Sequence, residues 1–206
     1  MSAVLAQIPE YSGETETNTV IEAILTRHSV SPKRIAAPGP DAAQLDTLLR
    51  AAAAAPDHGK LRPWRFICFP ESTRDALADV FARALLERWP DAPADAVERA
   101  REKSARGPVL LGLVLRIESS EGAPAAIDQH ASGGAALQNV LLAAHAMGFG
   151  ARALSGLAVQ TEAFRKAVGL GEDEVFLCFI PIGTPTSGPK CNPRPAPETL
   201  LSHWAG

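Results

Sequence analysis

Gly148-Phe-Gly150-Ala-Arg-Ala153 has the GxGxxA spacing with which a turn leaving a strand opens a helix onto a dinucleotide pyrophosphate. A helical stripe precedes the glycines here, so the amides have the wrong context and no such site is expected. Gly59-Lys60 has the end of a phosphate-binding loop, but the required upstream glycine is Ala54 and the following hydroxyl residue is Leu61. There is no GxSxG nucleophile elbow, and His28, His58, His130, His145 and His203 form no HExxH-like pair. Asp128 and His130 have the chemistry of metal ligands, although solvated polar positions are the simpler reading. The remaining conspicuous positions are Arg27-His28-Ser29, the loop from Ala55-Pro56-Asp57-His58 to Arg62-Pro63-Trp64, the helical stretch 133–148, Ser155-Gly156, and Lys190 and Arg194 in the tail. Taken singly, each has an ordinary reading. Arg27 suits a helix C-terminus, His58 a turn, and the tail cations a solvated segment.

These residues must be positioned by a chain of 206 residues with 46% hydrophobic content, enough for one full core and short for two. The net charge of −3, with scattered Lys and Arg, gives no footprint for nucleic acid or an anionic membrane. No stretch nears the roughly 18 apolar residues of a membrane span, and the first residues lack the pattern of a secretory signal, so a cytoplasmic protein is expected. The three cysteines, Cys68, Cys178 and Cys191, have no CxxC spacing. Cys68 and Cys178 are expected in the core, within strands.

Residues 1–18 lack periodicity and read as a flexible extension, leaving 19–206 as a single domain. Thr19 and Glu22 have capping-box spacing, and Ile21, Ile24, Leu25 and His28 follow at helical intervals, so Arg27-His28-Ser29 falls at a helix end. Asp41 and Gln44 repeat that spacing before the stripe Leu45, Leu48, Leu49 and Ala52. Further helices are expected over 72–88, as an exposed segment over 94–106, through Leu137, Val140, Leu141 and Ala144 with Gly148 as the stop, and over 161–168 before Gly169. Strands are expected over 64–69, 109–117 and 175–183, the last closing on a Gly-Thr-Pro turn. Strands and helices do not alternate strictly, which argues for an α+β fold.

The ordered set of conspicuous positions resembles the nitroreductase family over roughly residues 20–204, most closely its small single-domain NAD(P)H members. The resemblance implies a central, mainly antiparallel sheet flanked by helices, in an intertwined homodimer with FMN at the subunit interface. It gives Arg27, His28 and Ser29 to the flavin, with the arginine on the phosphate and ribityl region, where a phosphate dianion calls for guanidinium and hydroxyl donors. Arg194 falls where the family places another phosphate-binding cation, with Lys190 as second choice. The loop bearing His58 and Lys60 matches the one that crosses to the other subunit's flavin. Leu154, Ser155 and Gly156 align with the turn facing flavin N5. The helix around Gln138 and Asn139 matches the central dimer helix, whose small residues, including Gly133, Gly134, Ala136 and Ala144, permit close approach.

Four positions depart from the pattern. Close members have Arg where this chain has Ala54, many have Asn at Lys60, and Trp-Arg before the serine is here Ala153-Leu154. The implied activity is ping-pong hydride transfer from NADH or NADPH through flavin N5 to a small acceptor such as a nitroaromatic or quinone. No side chain is then needed as a catalytic acid or base. The alternative is a flavin-binding homodimer without efficient nicotinamide turnover, in which Ala54 and Leu154 have weakened the site.

Overall fold

The computed structural model describes residues 19–188 and 193–204. The extension 1–18, Lys190 and Cys191 lie outside the described residues. Helix α1 (Thr19–Thr26) is followed by the short strand β1 (Ile35–Ala36) and helix α2 (Ala42–Ala53). Then come strand β2 (Trp64–Cys68), helices α3 (Arg74–Arg88) and α4 (Ala94–Arg101), strand β3 (Val109–Arg116) and helix α5 (Ala126–Ala146). The chain closes with strand β4 (Gly150–Ala151), helix α6 (Glu162–Ala167) and strand β5 (Glu174–Pro185). The strands order as β1-β5-β3-β2, β4 also pairs with β5, and every pairing is antiparallel.

β3 and β5 read as unbroken apolar runs because helices cover both faces of the sheet. On one face Leu111, Leu113, Leu115, Ile180 and Ile182 pack with Leu48 and Ala52 of α2 and Ala136, Val140 and Ala144 of α5. On the other, Leu110, Val114, Phe176 and Phe179 pack with Leu77, Val80 and Phe81 of α3 and Phe164 of α6. Strict alternation would put Phe176 and Phe179 on opposite faces. A bulge resolves this: Leu113 pairs with Cys178 and Val114 with Phe176, so Leu177 is the extra residue that switches the parity. The rings on this face then pack together, Phe176 and Phe179 tilted at 4.6 Å and Phe164 edge to face with Phe176 at 4.9 Å.

The Asp41 capping box is complete, with Gln44 N–H donating to Asp41 Oδ1 at 2.8 Å and Asp41 N–H to Gln44 Oε1 at 3.0 Å. Gly148 and Gly169 stop their helices in the left-handed region, at φ +83° and +65°. Helix α1 forms where expected but buries none of its apolar residues, and Val20, Ile21, Ile24 and Leu25 face outward. Three expectations are corrected. Helix α5 begins at Ala126, well before 133, and its first turns are anchored by buried Gln129, whose side chain donates to Glu118 O at 2.7 Å and Pro124 O at 2.8 Å and accepts from Glu118 N–H at 2.8 Å. β5 runs through the Gly-Thr-Pro segment to Pro185, since β1 and β4 give that end partners. Cys68 lies in a strand but is exposed, because β2 is an edge strand and only partly covered. Cys178 is buried as expected, and burial pushes its thiol up to about 12.

Two predictions follow from the sheet. A Cβ at Gly112 would lie 2.5 Å from the Phe176 ring, so Gly112→Ala should lower unfolding stability by about 1–3 kcal/mol in a denaturant titration. Arg65 grips Glu174 with two bonds, Nε to Oε1 at 2.6 Å and Nη2 to Oε2 at 2.7 Å, and holds its carboxyl near about 2. A carboxyl depressed from 4.5 stabilises the fold fully above the unfolded value and loses that contribution as pH falls towards 2. Glu174→Gln should therefore cost about 1–2 kcal/mol at neutral pH, discounted for the exposed Arg65, and flatten the stability profile between those limits.

Candidate active site

The end of α1 is held from two sides. Thr26 Oγ1 donates to Glu22 O at 2.7 Å and lies 2.9 Å from Nε2 of His145, in the last turn of α5. Four residues on, buried Val30 donates its N–H to Ala151 O of β4 at 3.1 Å. Gly150 allows that approach, since a Cβ there would sit 3.0 Å from the Val30 side chain. Arg27-His28-Ser29 is thus stretched between two fixed points, with Arg27 and His28 half-buried and Ser29 exposed. Arg194 comes back from the tail and donates Nη2 to Arg27 O at 2.6 Å.

Basic side chains therefore converge: Arg27, Arg194 and the imidazoles of His28 and His145, whose rings meet edge to face with centroids 6.1 Å apart. Among the described residues, neither guanidinium has a carboxylate partner. Burial, then the charge of Arg194, lowers the pKa of Arg27. Burial, then His28 and Arg27, lowers that of His145. Such a cluster is electrostatically unfavourable when alone and suits a phosphate dianion, which offers charge and several acceptor oxygens at once. The donor set fits the phosphate end of FMN.

β4 leads directly into the second part of the site. Leu154 forms a two-way bridge with Phe179, each N–H donating to the other's carbonyl at 2.8 Å, so the backbone after β4 is fixed to the central strand. Ser155 and Gly156 follow, both exposed, and a Cβ on Gly156 would meet nothing within 4 Å. A cleft of about 610 Å³ opens beside them, walled by Leu157, Val159, Phe176 and Leu177. The space over this turn admits a planar ring. Arg152, two positions before Leu154, is exposed, and its charge contributes to lowering the pKa of Arg106.

His58 and Lys60 lie elsewhere. Gly59, Lys60 and Arg62 all adopt left-handed backbone, at φ +80°, +56° and +49°, a costly run for the two non-glycine residues. Asp57 holds the loop by accepting the Arg62 N–H, and His58 Nδ1 lies 3.0 Å from Oδ2 of Asp128, in the first turn of α5. Asp128 is seventeen residues from His145 along that helix, about 25 Å. The His58 loop and the Arg27 cluster therefore occupy opposite ends of α5.

Sequence reasoning missed His145 and the His58–Asp128 pair. His145 adjoins Ala144 of the apolar stripe at the helix end, a weak signal that it faces inward. His130 turns back to Ala126 O at 2.7 Å, and no group of metal-ligating side chains occurs among the described residues. Gln138 is exposed, but Asn139 donates to Ala51 O of α2 at 2.9 Å, which commits it within the chain. Gly133 likewise serves the chain's own core, because a Cβ there would lie 2.4 Å from Leu115.

Burial, then His28 and Arg27, puts the folded pKa of His145 below the unfolded value, so the fold loses stability as pH drops through the unfolded value near 6.5. His145→Gln should show a shallower loss between pH 7 and 5 in urea melts. An unchanged slope would show that the ring carries no such penalty.

A model of the nitroreductase family matches residues 24–184. The Escherichia coli protein named “Putative NAD(P)H nitroreductase YdjA” is 31% identical over 165 residues, covering 80% of this chain and 87% of its own. A Haemophilus influenzae protein named “Putative NAD(P)H nitroreductase” is 33% identical over 154 residues, covering 75% and 83%. Among solved structures, a nitroreductase-like family protein from Bacillus cereus superposes with a TM-score of 0.77 at 20% identity, over 94% of this chain and 100% of its own. A Desulfovibrio desulfuricans structure described as “a putative nitroreductase in complex with fmn” has a TM-score of 0.68 at 26% identity, over 90% and 97%. No helix among the described residues is long and apolar enough to cross a membrane.

Proposed function

Since this chain belongs to the nitroreductase family, a family of oxidoreductases, we propose that it is an FMN-dependent NAD(P)H oxidoreductase acting on small electron acceptors. The observation that carries this reading is the cluster of Arg27 and Arg194, in which the Arg194 guanidinium bonds the Arg27 carbonyl and neither side chain has a carboxylate partner among the described residues. The chemistry that FMN supplies when bound is two-electron transfer between a reduced nicotinamide and an acceptor such as a nitroaromatic or quinone.

The chain's own residues supply the rest. Arg27, Ser29 and Arg194 would hold the phosphate and ribityl end, with His28 and His145 adding donors when protonated. Leu154 presents an apolar edge, while Ser155 and Gly156 leave a face open for the nicotinamide and then the acceptor. No side-chain acid–base pair is required in this scheme.

A second copy completes the site in this proposal. His58 pairs with Asp128, about 25 Å along α5 from His145 beside the Arg27 cluster, a span that one chain does not readily bridge to its own cofactor. A homodimer that crosses this loop to the partner's flavin can, and the outward apolar face of α1 suits such an interface. Residues 19–206 are then one FMN-binding domain, with 1–18 an extension of it.

The test is the visible spectrum of FMN-loaded, desalted protein under anaerobic conditions, before and after NADH and then NADPH. Retained flavin bands that bleach are expected. Bound flavin that stays oxidised with both donors would mark a binding module, and loss of all flavin on desalting would overturn the reading. Arg27→Ala and Arg194→Ala should each weaken FMN binding by about 10–100-fold in a fluorescence titration, the value of one charge-assisted bond.

A further inference from the structure

A separate cavity of about 440 Å³ lies between the segment following Val30 and the end of α4, with Leu154 in its wall. Lys33, Arg99, Lys103 and Arg106 line it against one carboxylate, Glu102. Arg99 is committed to Asp95 by an ion pair one helical turn away. Lys33, Lys103 and Arg106 have no hydrogen-bond or ion-pair partner among the described residues, and Arg152 adds its charge beside Arg106. Lys103 and Arg106 are half-buried, an unusual setting for cations without anions. Burial lowers both pKa values, Lys103 further through Arg106 and Arg88, and Arg106 through Arg152. A bound anion would relieve that repulsion.

The position of Leu154 says what the anion is attached to. It belongs to this cavity and, two residues before Gly156, to the turn proposed to face the flavin, roughly 7 Å away along extended chain. A ligand whose ring lies over Gly156 passes Leu154 to reach the cations. A nicotinamide dinucleotide has this form, an uncharged ring joined through ribose to a phosphate-bearing tail. We infer that the pocket of Lys33, Lys103 and Arg106 binds the phosphate groups of the nicotinamide donor, a site distinct from the Arg27–Arg194 cluster. The inference rests on the donor reading above for its ligand, but the pocket itself is testable without turnover.

Calorimetric titration of the FMN-supplemented protein with adenosine 2′,5′-bisphosphate should show binding, weakened about tenfold or more in Lys103→Gln/Arg106→Gln. Arg99→Gln, which removes a cation already paired, should change it little. With menadione as acceptor, the double substitution should raise KM for NADPH and NADH by a similar factor. Both kcat and KM for the phosphate-free donor N-benzyl-1,4-dihydronicotinamide should stay unchanged. No binding of the bisphosphate to the wild type, or equal losses with both donors, would overturn the inference. So would a loss confined to an anionic acceptor such as 4-nitrobenzoate. Bisphosphate binding that depends on Lys103 and Arg106 in a protein that keeps no flavin would sink the oxidoreductase reading while leaving the phosphate pocket standing.

Discussion

The pairing of β3 with β5 is the constraint on which the rest of the molecule depends. Both strands are apolar on both sides, so each face must be covered by helices, and no polar chemistry can be placed within the sheet. Reactive and binding groups are displaced to where elements end: the last turns of α1 and α5, the exit from β4, and the junction after α4. The sheet reaches these places through main-chain bonds. β5 holds β4 and Leu154, and β4 holds Val30, so two loops distant in sequence are referenced to one strand.

At these ends the fold brings like charges together. Among the described residues, Arg27 and Arg194 have no carboxylate partner, and Lys103, Arg106 and Arg152 crowd together with no ion pair of their own although Glu102 lines the same cavity; carboxylates are instead paired at Arg65–Glu174 and along helix faces such as Arg99–Asp95. Such placement opposes folding and persists because packing and backbone bonds position the side chains independently of charge. Under the proposed function the arrangement would be preorganised for anions: repulsion already present before binding need not be incurred when a ligand arrives.

Much of this was legible in the residues. Capping chemistry at Asp41 and Thr161, the stripe of α5 and the apolar runs of β3 and β5 are local signals, and they set the elements. The family resemblance gathered Arg27, Ser29 and Arg194 into one expected place. What escaped was decided by tertiary context. The exposure of Cys68 depends on β2 being at an edge, which composition cannot show. The outward face of α1 has the same helical stripe as a buried one, and periodicity does not reveal whether a partner covers it. Small residues such as Gly133 permit close approach of any surface, and here Leu115 of the same chain occupies the space. The pocket after α4 joins residues about 70 positions apart, with no motif to announce it.

The length of α5 sets the genetics of the site as well as its geometry. With the Arg27 cluster at one end of the helix and the His58 loop at the other, each cofactor in the proposed dimer draws on both chains. Damage at the two ends is then not equivalent to damage twice at one end. A copy lacking Arg27 and a copy lacking His58, assembled together, place both lesions at one pocket and leave the other intact. Two alleles that are each inactive alone would restore up to half the sites when expressed together, whereas two lesions at the same end of the helix would restore none.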